Sequence, residues 1–265
     1  MGNLESYSNT AVVKLILAGA SGCGKTGAIA SLIQAGYRIR FLEFDNGLDA
    51  LVQLCKREQL DMSRVDFMSF RDKLKATATG TAVVGQPKAY SSALRALEKW
   101  EDETDPAEWG DETFLIIDSL THASRAAMQW AKALSPTARE PRQWYHTAQG
   151  LIEDLLANVT SEAFNTNVIV ISHIDVVDSP NAPTKHYVSS IGKAIGTKIP
   201  SYFNTLLLSE TRVMGKKVER QIHTVPTNVM DLKAPPSPNM LPSYPIETAL
   251  ADIVFELRGR PHPAG

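Results

Sequence analysis

The sequence predicts an α/β fold: a mostly parallel, doubly wound sheet flanked by helices. Three observations carry that expectation. Six short apolar runs recur along the chain, continuous rather than strictly alternating, as in strands covered on both faces. Segments with helical periodicity lie between them, so strand and helix alternate. A glycine-rich turn joins the first run to the first periodic segment.

The runs, each bounded by turn or polar residues, are VVKLILAG (12–19), RIRFLEF (38–44), VDFMSF (65–70), TFLIIDS (113–119), NVIVISHI (167–174) and FNTLLLSE (203–210). The helical segments are KTGAIASLIQAG (25–36), GLDALVQLCKREQ (47–59), AYSSALRALEKWEDE (89–103), SRAAMQWAKAL (124–134) and HTAQGLIEDLLANVTSEA (146–163). In each, apolar residues return at intervals of three and four. Three stretches break the rhythm and read as loops: 71–88, 135–144 and 175–201. Loops this long in a compact domain are usually functional or disordered. From Val225 the chain is proline-rich and then turns helical, and no internal repeat is found.

At 265 residues, one α/β domain over 1–265, with its core at about 12–257, accounts for the length. A net charge of -2 with 43% hydrophobic residues excludes a global polycation, so any nucleic-acid contact must be local. Cys23 and Cys55 are too few for a disulfide framework or a metal site of their own, which points to a reducing cytoplasmic setting. The N-terminal region lacks a basic stretch followed by a long apolar run, so neither a signal peptide nor a membrane span is expected. MGNLES (1–6) meets the loose myristoylation pattern without a basic patch beside it.

The specific signal is Gly19-Ala20-Ser21-Gly22-Cys23-Gly24-Lys25-Thr26, a complete G-x-x-x-x-G-K-[ST] between a predicted strand and a predicted helix. Glycines let successive backbone N–H groups turn around a phosphate, and the helix N-terminus adds its positive end. Lys25 is expected to reach the β and γ phosphates, and Thr26 to hold Mg²⁺ (magnesium). A second acidic anchor for the metal is Asp118, at the end of TFLIIDS; its alternative role is to cap the next helix. Hydrolysis also needs a carboxylate to orient or deprotonate water. The strand after the glycine-loop helix and its turn offer Glu43, Asp45 and Asp49, and alternation would put Glu43 and Asp45 on the same side. Asp45, nearer the ligand-binding strand ends, is the first candidate unless it is a turn residue before Gly47, and Glu43 is the second. Ser172-His173 ends a strand where a γ-phosphate sensor belongs, unless His173 is structural. No Asn-Lys-x-Asp motif is present, so ATP is expected rather than GTP.

In this order the parts resemble the RecA-type ATPase core: glycine loop, DNGLDAL (45–51), LIIDS (115–119), then a strand ending in a polar pair. Closer still is the similarity to phage-encoded, RecA-like single-strand annealing ATPases, often described as AAA-family. They share an LxxW helix (Leu97 to Trp100), the SH pair at Ser172-His173 and a segment like GKAIGTKIPSYFN (192–204). The resemblance implies a RecA-like P-loop fold, DNA-dependent ATP hydrolysis, and self-association into a ring or filament. It places Asp45 where RecA has its catalytic glutamate, an exchange that shortens the reach by a methylene. It sets 175–201 where RecA has its second DNA loop, with Lys185, His186, Tyr187, Lys193 and Lys198 as candidate contacts to single-stranded DNA. Arg139 and Arg142 would belong to the first DNA loop. Lys233 would cross to a neighbour's γ-phosphate, unless it is a solvated lysine. A nucleotide-switched module that binds a replication or single-strand DNA-binding protein is the competing reading. A small-molecule kinase is disfavoured by the lack of an arginine-rich lid.

Overall fold

The computed structural model describes residues 12–78, 80–137, 140–179, 182–215 and 217–259. The MGNLES pattern and Arg139 lie outside these residues. In chain order the first half comprises β1 (Lys14–Gly19), α1 (Lys25–Ala28), α2 (Ala30–Gln34), β2 (Arg38–Glu43), α3 (Leu48–Arg57), β3 (Val65–Ser69), β4 (Leu74–Thr77), β5 (Gly80–Val83), α4 (Ala89–Glu98) and β6 (Gly110–Asp118). There follow α5 (Leu120–Leu134), α6 (Pro141–Thr160), β7 (Thr166–Ser172), β8 (Ile174–Ser179), β9 (Ala182–Val188), α7 (Lys193–Gly196), β10 (Thr205–Met214), β11 (Lys217–His223), β12 (Ser243–Pro245) and α8 (Ala249–Leu257).

Eight strands form the main sheet, in the order β12-β11-β10-β1-β7-β6-β2-β3. The six from β10 to β3 are mutually parallel, and β11 and β12 extend the β10 edge as antiparallel pairs. This is the expected α/β P-loop fold with a mostly parallel sheet. The apolar runs are continuous because each strand serves two cores. Leu15, Leu17, Phe114, Ile116, Ile169 and Ile171 pack with Ile29, Leu51 and Leu250 from α2's N-terminus, α3 and α8. Ile16, Ala18, Leu115, Ile117, Val168 and Val170 pack with Tyr90, Leu120 and Leu155 from α4, α5 and α6. Leu97 and Trp100 of the LxxW segment are buried in this second core.

Parallel alignment brings the C-terminal ends of β1, β2, β6 and β7 to one edge, where open α/β sheets place ligands. There β7 separates the strand leading to the glycine loop from the one ending in Asp118.

Two expected loops contain structure. Residues 71–88 hold the β4–β5 hairpin, and 175–201 hold the β8–β9 hairpin followed by α7. Every residue of β4 is exposed, so no apolar face marked it as a strand. β11 is likewise mostly exposed except at Ile222 and His223, and sequence reading missed it. α6 starts five residues ahead of the expected 146, with Pro141 in its first turn, where a missing N–H does no harm. Among the described residues no helix is long and apolar enough to cross a membrane.

Candidate nucleotide site

Close packing explains the glycines of the loop at both ends. A Cβ on Gly19 would sit 2.6 Å from both Cys23 Sγ and the Ser209 carbonyl oxygen. Ser209 on β10 also donates its hydroxyl to the Cys23 carbonyl at 3.0 Å, pinning the loop to the neighbouring strand. Gly24 has φ of 93°, a left-handed conformation open to glycine, and a Cβ there would meet Ile246 Cδ1 at 2.7 Å and Arg220 Cδ at 3.0 Å. Helix α1 starts immediately afterwards. Lys25 is buried and its Nζ donates to the carbonyls of Gly19 (2.9 Å) and Ala20 (2.7 Å). Ser21, Gly22, Lys25, Thr26, Asp45 and Asp118 share the lining of one cleft of about 860 Å³, within the usual size of a small-molecule site.

Thr26 and Asp118 meet in that cleft: Thr26 Oγ1 donates to Asp118 Oδ2 at 2.7 Å. Burial pushes the Asp118 carboxyl up to about 6; the neighbouring charges of Asp45 and Glu43 act in the same direction, while the Thr26 hydroxyl and Lys25 oppose them. Two oxygen donors side by side form the donor set a hard divalent cation prefers. The alternative role of Asp118 as helix cap is taken by the next residue, since Ser119 precedes α5 and its Oγ accepts from the His122 N–H at 3.4 Å.

Asp45 and Glu43 separate. The N–H groups of Phe44 (2.6 Å) and Asp45 (3.1 Å) both donate to the Asp118 carbonyl, so the strand ends at Glu43 and alternation no longer governs the next residues. The expectation that the two carboxylates share a side is therefore corrected. Glu43 is buried, 3.3 Å from Arg71, and lines a second cavity with Leu48, Leu51 and Phe67. Asp45 alone of the pair reaches the nucleotide-sized cleft.

At Asp45 the chain builds a cluster that sequence reading found only in part. Its Oδ2 lies 3.5 Å from His173 Nε2 and 3.5 Å from His122 Nδ1. Burial pushes the Asp45 carboxyl up, but the Asn46 N–H and the two imidazoles together hold it below its ordinary value. For His173, burial and the Lys25 charge outweigh Asp45 and lower its pKa, so the ring is neutral at pH 7. His122 escaped notice because it lies in the first turn of α5, ahead of the helical segment expected at 124–134, where a single polar residue carries no pattern.

From His173 the chain enters β8 directly. Thr121 Oγ1 accepts the His173 N–H at 3.1 Å, and the Ser189 N–H, just past β9, donates to the His173 carbonyl at 2.8 Å. The histidine is thus clamped between α5 and the return from the hairpin. Lys185 and Tyr187 stand two apart on β9 and share a face. Lys185 pairs with Asp231 at 3.1 Å and Lys198 with Glu153 at 3.1 Å. Arg142 is exposed in the first turn of α6, and Lys193 opens α7. Lys233 is exposed and bridges to Leu206, level with Ile16 in the middle of β1, outside its own chain's cleft.

The sequence profile of a family described as "AAA domain" matches residues 11–235. Among solved structures, the chain resembles a KaiC-like protein, PH0186, from the hyperthermophilic archaeon Pyrococcus horikoshii OT3. The identity is 10%, 88% of this chain and 84% of that one are covered, and the TM-score is 0.44. It also resembles a RadB recombinase at 17% identity, covering 81% of this chain and 80% of that one, with a TM-score of 0.46. No curated protein matches the chain.

Proposed function

The chain belongs to the AAA-domain family, and from that premise we propose that it binds and hydrolyses ATP and couples the nucleotide to single-stranded DNA. The biological role would be annealing or recombination in the cytoplasm, as in the phage-type RecA-like proteins its motifs resemble. The observation that carries this reading is convergence. Lys25, Thr26, Asp118, Asp45 and His173, from four different strand ends, line one cleft, and the β8–β9 hairpin leaves it at His173.

In this reading the loop N–H groups and Lys25 hold the phosphates, Lys25 exchanging its two carbonyl partners for phosphate oxygens. Thr26 and Asp118 would hold Mg²⁺, which supplies charge neutralisation to the phosphates when bound. Asp45, ionised at neutral pH, orients the attacking water and accepts its proton. His173 contacts the terminal phosphate and passes its presence to the hairpin through the Thr121 and Ser189 hydrogen bonds. Lys185, Tyr187, Lys193, Lys198 and Arg142 then contact DNA, with cations on phosphates and the tyrosine stacked on a base. Lys233 acts on a neighbouring subunit's nucleotide in a ring or filament, since it lies outside its own cleft.

A second reading has its own support. The Lys185–Asp231 and Lys198–Glu153 pairs already neutralise two of the cations assigned to DNA, which favours a protein partner for the same surface. Single-stranded DNA affinity, measured with and without a non-hydrolysable ATP analogue, separates the two. Affinity that rises with nucleotide supports the DNA reading; affinity unchanged by nucleotide supports the protein-binding switch.

A further inference from the structure

We propose that Asp45, His122 and His173 form a binding site for a borderline divalent transition metal of the Zn²⁺ type, separate from the Thr26–Asp118 oxygen pair. The three residues come from three elements: the turn after β2, the first turn of α5 and the end of β7. One ligand atom from each lies within 4.8 Å of the others.

The distances favour coordination over direct hydrogen bonding. Both imidazole nitrogens stand 3.5 Å from the same oxygen, Asp45 Oδ2. That is long for a charge-assisted hydrogen bond, which closes to about 2.7–2.9 Å. It is close to the edge of a tetrahedron, about 3.4 Å, around an ion with ligands at about 2.0–2.1 Å. Two imidazoles and a carboxylate match zinc or cobalt rather than magnesium, which selects oxygen donors. Three protein ligands leave a fourth position open, as in sites where zinc holds a water or a substrate.

Outer contacts hold the ligands in place. Asp45 Oδ1 accepts the Asn46 N–H at 2.7 Å, which leaves Oδ2 facing the rings. The His173 backbone is fixed by Thr121 and Ser189. Ser119 Oγ lies 3.0 Å from His122 Nδ1 and also accepts the His122 N–H at 3.4 Å. Coordination therefore requires the serine hydroxyl to turn from the ring nitrogen while keeping its bond to the backbone. The three side chains are a quarter to a third exposed, so an ion reaches them from solvent. A corollary rests on the function proposed above: an ion on Asp45 occupies the lone pair of the base and silences hydrolysis.

The test is titration of untagged, chelator-stripped, nucleotide-free chain with Co²⁺, read by its visible absorption and by competition with Zn²⁺. The expected result is one tetrahedral ion per chain. Binding should weaken more than about 100-fold, beyond an outer-shell effect, in His122→Ala and in His173→Ala, each checked for folding by circular dichroism. It should be unchanged in Thr26→Ala. Absence of binding, an octahedral spectrum, retention in a folded histidine variant, or loss in Thr26→Ala would each overturn the site. The readout needs neither nucleotide nor turnover, so it fails independently of the ATPase reading.

Discussion

Thr26 Oγ1 and Asp118 Oδ2 are joined by a 2.7 Å hydrogen bond across 92 residues of sequence, tying the helix after the glycine loop to the end of β6. The bond holds a buried carboxylate whose neutral form the fold favours. A raised folded-state pKa means that stability is fullest below the ordinary aspartate value of 3.8 and is lost as pH rises towards about 6. Asp118→Asn keeps an acceptor for Thr26 and removes the buried charge. Nucleotide-free Asp118→Asn is therefore expected to be more stable than the parent at pH 7, by on the order of 1–3 kcal/mol. The advantage should open between pH 3.8 and about 6. Thermal or urea unfolding across that range checks it, and a variant less stable at pH 7 contradicts it.

Asp45 faces the cleft, whereas Glu43 faces another cavity beside Arg71. Asp45→Ala is expected to retain ATP binding and to lower turnover by roughly 100-fold or more, the usual size of a lost general base. Glu43→Gln should leave turnover within a few-fold. Steady-state hydrolysis beside equilibrium nucleotide binding distinguishes the two, and normal turnover in Asp45→Ala would transfer the role elsewhere, first to Glu43.

His173 is held neutral by burial and by Lys25. Its protonation below the ordinary 6.5 places a positive ring beside Lys25 and turns its contact with Asp45 into an ion pair that ties up the carboxylate. Turnover should thus be level above neutrality and fall on an acid limb lying below pH 6.5. His173→Gln should remove that limb. A limb centred above 6.5, or one retained unchanged in the variant, would assign it to another group.

Gly24 lies under the wing formed by β11 and β12, with Ile246 and Arg220 over the place of its missing side chain. Gly24→Ala combines an unfavourable φ with a 2.7 Å contact. It should lower stability by about 1–2 kcal/mol from the left-handed backbone alone and weaken nucleotide binding. Adding Ile246→Ala relieves the contact but not the backbone, so the double variant should recover only part of the loss. Full recovery in a melting experiment would show that the contact, not φ, dominates.

The parts of the site legible in sequence were those with local spacing. The glycine loop is a run of eight residues, and LIIDS is a buried strand with a charge at its end. Asp45 and Glu43 were not distinguishable by alternation, because the turn that separates them depends on both N–H groups bonding the Asp118 carbonyl. His122 joins the cluster only through tertiary packing. The wing over Gly24 escaped because β11 is covered by the short edge strand β12 only over Gln221–His223, and its earlier residues are exposed or half-buried, which erases the apolar pattern. The β8–β9 hairpin was hidden for the same reason: its residues are mostly half-buried or exposed.

In the proposed mechanism the cleft at the glycine loop and the hairpin after His173 work as one device. The steady-state ATPase rate with and without single-stranded DNA, with Lys25→Ala as the blank, tests it most directly. Stimulation by DNA, with Lys25→Ala inactive throughout, is the predicted result. A nucleotide-dependent rate indifferent to DNA would contradict the coupling and leave a P-loop ATPase whose hairpin serves a protein partner.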